Sequence, residues 1–384
     1  MNRTHRRLSF ALLLALLTGL TLFAFQHAWA DRQLLAAVNS RDAPSVETLL
    51  RQGADPNTRD WQTYFYQAGS PFRPPWYEKY LARLTHRKPR PADPYVGPTV
   101  LMIAADHGDV AVAQSLLRHG ADVTRAGTEI EYDNSIPVPP VVGVLWEAVK
   151  EDKAPMVKLL LQHGAPVNAL GRGLTPLLLT EEPEIATALL DGGADVNATT
   201  DASTEGDEGK TPLILAIGAW YPLHGYSDQD AVVQKLAMIR LLLSRGANIN
   251  ATAKYGATAL SEAEAHQMHD YVQLLLAHGA DSNVRDLEGD TPLTAAANEG
   301  DLIYMRLLLS HGADVNAQNN RGQTALMLAS HLAYSGYGAH WQQDRRAKIR
   351  LLRQFGADPR LKDKQGKIAA DYFNADPPVA SGGG

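Results

Sequence analysis

Apolar positions along the chain alternate between two short helical patterns. In residues 284–316 (VRDLEGDTPLTAAANEGDLIYMRLLLSHGADVN), Leu293, Ala296 and Ala297 fall on one face of a short helix. Tyr304, Leu307 and Leu308 recur at i, i+3 and i+4 on a second helix. Polar residues punctuate both. Asp286 and Gly289 predict a tight turn in front of the first helix, Thr291 predicts its cap, and Pro292 presets its first turn. Gly312 supplies the left-handed residue that ends the second. A helix pair of this size cannot bury its own apolar faces, but stacked copies can.

The copies are present. The phrase GAD, or a near copy of it, places its glycine at 53, 120, 164, 193, 246, 279, 312 and 356, at intervals of 67, 44, 29, 53, 33, 33 and 44 residues. A fixed short period with enlarged intervals marks a repeat array carrying insertions. GADVN recurs at 193–197 and 312–316, and TPL at 175–177, 211–213 and 291–293. On these motifs the chain resembles the ankyrin-repeat family over residues 32–374. The resemblance implies an all-α solenoid of helix-turn-helix repeats with β-hairpin fingers, about eight repeats with DKQGKIAADYF (363–373) as a partial C-terminal cap. The histidine that this family carries after TPL is replaced by Leu178, Ile214 and Thr294, which implies a looser stack where its hydrogen-bond network is lost. The fourth copy, PLLLTEEPEIATALL, lacks about one helical turn, and a bend or weak point is expected there.

The enlarged intervals locate the insertions. Asn57 to Thr99 spans 42 residues where eight suffice, so a long insert occupies 61–96, between a second helix and the next first helix, where the family places a finger. Shorter finger inserts fall at 127–142 and 201–210, and two others, 218–233 and 330–346, are expected between paired helices. Inserts in a repeat array form loops on one face, often the binding face.

The long insert has an unusual composition. Residues 61–80 hold eight of the chain's 27 aromatic side chains, and residues 61–95 carry six Lys/Arg against Glu78 and Asp93. Aromatic and arginine side chains dominate interface hot spots, and Pro71, Pro74 and Pro75 restrict the backbone. The candidate partner-binding residues are Trp61, Tyr64, Phe65, Tyr66, Phe72, Arg73, Trp76 and Tyr77. Trp220, Tyr221, Tyr337 and Trp341 join them from the two inter-helix inserts. The segment reads as mixed, half packed on the first repeats as an N-terminal shield and half presented; pure capping is the competing reading, and contact with a membrane surface is a third.

Composition sets the compartment. Arg3, Arg6 and Arg7 precede the apolar run 8–25, and Ala28 and Ala30 flank Trp29; residues 1–30 read as a signal peptide cut before Asp31, with a retained membrane anchor as the alternative. Loss of three arginines and no acid takes the formal charge from −6 to −9. The chain has no cysteine, which excludes disulfides, thiolate nucleophiles and Cys-type zinc sites. Its acidity argues against nucleic acid as a partner. A periplasmic protein is expected, touching the membrane only through its signal segment, with residues 375–384 as a flexible tail.

Catalytic and metal motifs are missing. GDEGKT (206–211) resembles a phosphate loop, but Thr204 stands where the glycine belongs. His119, His163, His278 and His311 each precede a phrase glycine, at a helix C-terminus where a cation is favoured. No Gly-x-Ser-x-Gly elbow or His-Glu-x-x-His helix occurs. No enzyme activity, cofactor or metal is expected. The family resemblance implies a protein–protein interaction scaffold. The resemblance to periplasmic ankyrin proteins implies an immunity or inhibitor protein that binds and blocks a secreted toxic effector enzyme. A stress-protective role in peroxide defence, or a structural scaffold, is the alternative.

Overall fold

The computed structural model describes residues 29–60, 97–128, 141–201, 208–218, 228–266, 268–299, 302–330 and 339–374. Their contacts divide the chain into two units, with the boundary between Asp195 and Val196. In the first unit, helices α1 (29–39) and α2 (Ala43–Arg51) are followed by α3 (Val100–His107) with α4 (Val110–Arg118), α5 (Val144–Lys150) with α6 (Ala154–Gln162), and α7 (Pro176–Leu179) with α8 (Pro183–Asp191). In the second, α9 (Pro212–Gly218) pairs with α10 (Asp228–Ser244), α11 (Ala259–Ala265) with α12 (His269–Ala277), α13 (Pro292–Glu299) with α14 (Leu302–Ser310), and α15 (Ala325–Ser330) with α16 (Ala339–Gln354). The single helix α17 (Ala369–Asn374) follows. First helices stack on first helices (α3 on α5 on α7; α13 on α15 on α17) and second on second (α2 on α4 on α6 on α8; α12 on α14 on α16).

The repeated residues explain the stacking. The leucine four residues before a phrase glycine is at most 1% exposed at Leu116, Leu160, Leu189, Leu242, Leu275, Leu308 and Leu352. Truncating such a leucine to alanine costs about 2–5 kcal/mol. The eight phrase glycines all have φ between 80° and 93°, where a side chain would be strained. The predicted threonine caps form: Thr99 Oγ1 accepts from Met102 N–H at 3.2 Å and Thr324 Oγ1 from Met327 N–H at 3.3 Å. Thr294, which replaces the expected histidine, closes a reciprocal cap. Its Oγ1 accepts from Thr291 N–H (2.7 Å), while Thr291 Oγ1 accepts from Thr294 N–H (3.3 Å). The substitution therefore leaves this turn bonded.

Where the phrase carries an asparagine, that residue ties its copy to the next. Asn57 Oδ1 accepts from Asp122 N–H (2.7 Å), Asn168 Oδ1 from Asp195 N–H (3.0 Å), Asn283 Oδ1 from Asp314 N–H (2.7 Å) and Asn316 Oδ1 from Asp358 N–H (2.8 Å). Each Nδ2 donates to the carbonyl of the following phrase glycine at 3.3–3.4 Å. Asp31 plays this part for the first copy, accepting from Asp55 N–H at 2.8 Å.

The fourth copy is short, as its sequence predicts. Helix α7 has four residues where α3 has eight. Thr175 makes no cap, and its buried Oγ1 has no partner among the described residues. Two inserts differ from expectation. Residues 228–233 and 339–346 do not lie between helices. They lengthen the second helices, so that α10 has 17 residues and α16 has 16, against nine in α4, α6 and α8. Charged and helix-favouring residues such as Gln342, Gln343, Arg345 and Arg346 continue the helical run there. Residues 219–227 and 331–338 of these two inserts, residues 1–28 of the signal segment and the tail lie outside the described residues; residues 29 and 30 open α1.

Candidate partner-binding surface

The long insert leaves and re-enters the first unit at one point. Asp60 N–H donates to Pro98 O and Val100 N–H to Thr58 O, both at 2.9 Å, and Arg59 and Thr99 form an antiparallel bridge. The half-buried Arg59 holds this base. Its Nη1 donates to Gly97 O at 2.7 Å and to Ala126 O at 3.0 Å, joining the base of the long insert to that of the next. Burial, and then the neighbouring Arg125, lowers the Arg59 pKa from its ordinary value; a guanidinium stays charged through such a shift.

The second insert starts and ends on a two-residue antiparallel ladder, β1 (Gly127–Thr128) with β2 (Val141–Val142), the hairpin base expected of a finger. This base lies directly against that of the first insert. A Cβ on Gly127 would sit 2.9 Å from Gly97 O, from Pro98 Cα and from Met102 Sδ, so only glycine permits this approach. On its other side Val142 packs against the third turn, where a Cβ on Gly171 would lie 2.8 Å from Val142 Cγ1 and from the Trp146 indole. Three successive turns therefore share one edge. Val141 (46% exposed) and Leu170 (59% exposed) present apolar surface along it.

Turns of the second unit repeat the device. Arg285 Nη1 donates to Gly289 O (3.0 Å) and Gln318 O (2.5 Å), and Gln318 Nε2 to Gly322 O (2.6 Å) and Lys362 O (2.9 Å). Arg59, Arg285 and Gln318 each stand six residues after a phrase glycine. That spacing is the signal by which Arg59 could have been singled out from the sequence, and it was missed.

The sequence-derived contact residues Trp61, Tyr64, Phe65, Tyr66, Phe72, Arg73, Trp76, Tyr77, Trp220, Tyr221 and Tyr337 lie outside the described residues, as does the Trp341 side chain, whose backbone is in α16. The cap histidines are bound as their position implies: the Nδ1 atoms of His119, His163, His278 and His311 donate to the carbonyls four residues earlier at 2.8–2.9 Å. A carboxylate cluster not apparent in the sequence joins Asp106, buried Glu147 and Glu151, with ligand-capable oxygens within 4.8 Å of one another. The Lys150 ammonium lies 3.3 Å from Glu147 Oε1 and 3.4 Å from Glu151 Oε1 and balances part of this charge.

Comparison with known proteins agrees with this architecture. The family described as ankyrin repeats in three copies matches residues 183–286 and 265–363, and the single ankyrin repeat matches 97–127 and 144–172. Ankyrin repeat and SOCS box protein 6 of Homo sapiens is 36% identical over 168 residues, 42% of this chain and 34% of the relative. The Pongo abelii protein of the same name is 35% identical over the same shares. The chain thus spans about a third of the length of these curated relatives. Among solved structures, the ankyrin repeat domain of Bcl-3, a member of the IkappaB protein family, superimposes with a TM-score of 0.52 at 27% identity, covering 67% of this chain and 99% of that domain.

Proposed function

This chain belongs to the ankyrin-repeat family, and from that premise we propose that it is a periplasmic inhibitor that binds and blocks a secreted toxic effector enzyme, as an immunity protein does. Ankyrin repeats are protein–protein interaction units, so binding is the coarse function; the identity and place of the partner are the proposal. One observation carries it. The aromatic, basic insert 61–96 is mounted on a base locked by Arg59, beside a second insert and the exposed Val141 and Leu170. A segment whose two ends are fixed at one base, and whose backbone Pro71, Pro74 and Pro75 restrict, has less freedom to lose on binding, which raises affinity. Residues 1–30 support export by their basic, apolar and small-residue sequence.

Replacing Trp61–Asp93 by a short Gly-Ser turn tests the reading. The variant is expected to keep its circular dichroism and lose capture of the effector from a periplasmic extract. Effector activity should fall when the unaltered chain is added at equal amount. A variant that still captures and inhibits every partner would sink the proposal for the insert, and recovery of the exported chain with residues 1–30 attached to membrane would sink cleavage.

A further inference from the structure

The C-terminal end of the second unit carries a basic surface on a chain that is acidic as a whole. Residues 344–374 hold nine Lys/Arg and four Asp/Glu, a net +5, whereas the whole chain is −6 and the remainder is therefore −11. Part of this charge is spent internally. Lys348, almost fully buried, donates to Ala297 O at 2.9 Å, and Arg345 donates to Ser330 O. Arg360 pairs with Asp358 at 3.1 Å. Arg346, Arg350 and Arg353 are different. They are exposed, they stand at i, i+4 and i+7 on α16, and they form no ion pair among the described residues.

These three guanidiniums border a groove of about 540 Å³ between α16 and the capping helix. Its apolar wall includes Ile349, Pro359 and Phe373. Phe373 is 51% exposed, yet the ring is held, because the Arg345 guanidinium lies 4.3 Å from its centroid. An apolar trough edged by an unpaired row of arginines is complementary to one kind of ligand. We propose that this groove docks an acidic peptide segment of a partner protein, one that carries an apolar side chain among its carboxylates. The arginines donate to the carboxylates in bidentate pairs, and Ile349 and Phe373 cover the apolar side chain. A nucleic acid fits less well, since the apolar wall offers its phosphates nothing. The proposal does not rest on the 61–96 insert.

The experiment uses the full chain and a fluorescent probe peptide of sequence Glu-Asp-Leu-Glu-Glu-Leu-Asp-Glu, read by anisotropy. Saturable binding that weakens with salt is expected. Arg350→Glu with Arg353→Glu should weaken it by about tenfold or more, the scale of one lost charge-assisted hydrogen bond. The milder pair Arg350→Gln with Arg353→Gln should weaken it in the same direction and serves if charge reversal disturbs folding. Phe373→Ser should weaken the leucine peptide and leave a version with serine in place of leucine unchanged. The chain lacking Trp61–Asp93 should bind the probe as the unaltered chain does. No saturable binding, indifference to both arginine pairs, or equal binding of a single-stranded oligo-thymidine would each overturn the proposal.

Discussion

Asn57 Oδ1 accepts the backbone N–H of Asp122 at 2.7 Å across 65 residues of sequence. The long insert lies within that separation and does not disturb the bond. One link in this series is missing, and for a covalent reason. Thr124 stands where the second copy would have asparagine, and Pro166 stands where the third would offer an N–H. Proline has no N–H to give.

Asn57→Ala and Asn283→Ala each remove two hydrogen bonds to the next copy. Each should lower stability by about 1–3 kcal/mol, at roughly 0.5–1.5 kcal/mol per bond. Thr124→Asn alone can restore only the Nδ2 bond to the Gly164 carbonyl, while Thr124→Asn with Pro166→Asp restores the Oδ1 bond as well and should gain about 1 kcal/mol more than the single variant. Urea denaturation of the single and double variants decides this; a double variant no more stable than Thr124→Asn alone would contradict the account.

The two threonine caps should respond in opposite ways to the same substitution. Thr99→Val removes a formed cap and should cost about 1 kcal/mol. Thr175→Val removes a buried hydroxyl that has no partner among the described residues, and should be neutral or stabilising. Thermal unfolding midpoints of the two variants, measured side by side, supply the comparison.

Local opening should concentrate in the fourth copy. Its first helix has four residues and no side-chain cap, so residues 175–192 should exchange amide hydrogens faster than residues 284–316, which are closed by the Thr291–Thr294 cap. Equal protection of the two segments in native-state hydrogen exchange would count against a weak joint.

The C-terminal cap should be acid-sensitive. The Tyr372 hydroxyl donates to Asp363 Oδ2, and the amides of Gln365 and Lys367 donate to Oδ1 at 2.9 and 2.8 Å. The Tyr372 bond first, and then these amides, hold the Asp363 carboxyl below its ordinary value. A depressed folded-state pKa gives stability that is complete above the unfolded value of about 3.9 and is lost as pH falls through the folded value. Attachment of α17 should weaken below about pH 4, and Asp363→Asn should remove that dependence. Tyr372→Phe should cost about 1.5 kcal/mol at neutral pH. Tyrosine fluorescence during acid titration would show it.

Much of the architecture was legible because each copy is governed by its neighbours in sequence. The phrase glycines, the Thr-Pro helix starts, the paired helices and the short fourth copy all follow from backbone chemistry within about ten residues, the scale on which capping and periodicity act. The places of the inserts were legible for the same reason, as departures from a period. The helical ends of 218–233 and 330–346 were not, because aromatic and glycine residues at their start masked a helix-favouring remainder. Arg59 bridging to Ala126, Gly127 pressed against Gly97, the carboxylates of Asp106, Glu147 and Glu151, and the row Arg346, Arg350 and Arg353 facing Phe373 across a groove needed the fold. Each joins residues of different elements, and only stacking fixes the distance between them. The sequence by itself determined a repeated helix pair and where it is interrupted. The tertiary structure decided which side chains those interruptions and that final helix leave side by side.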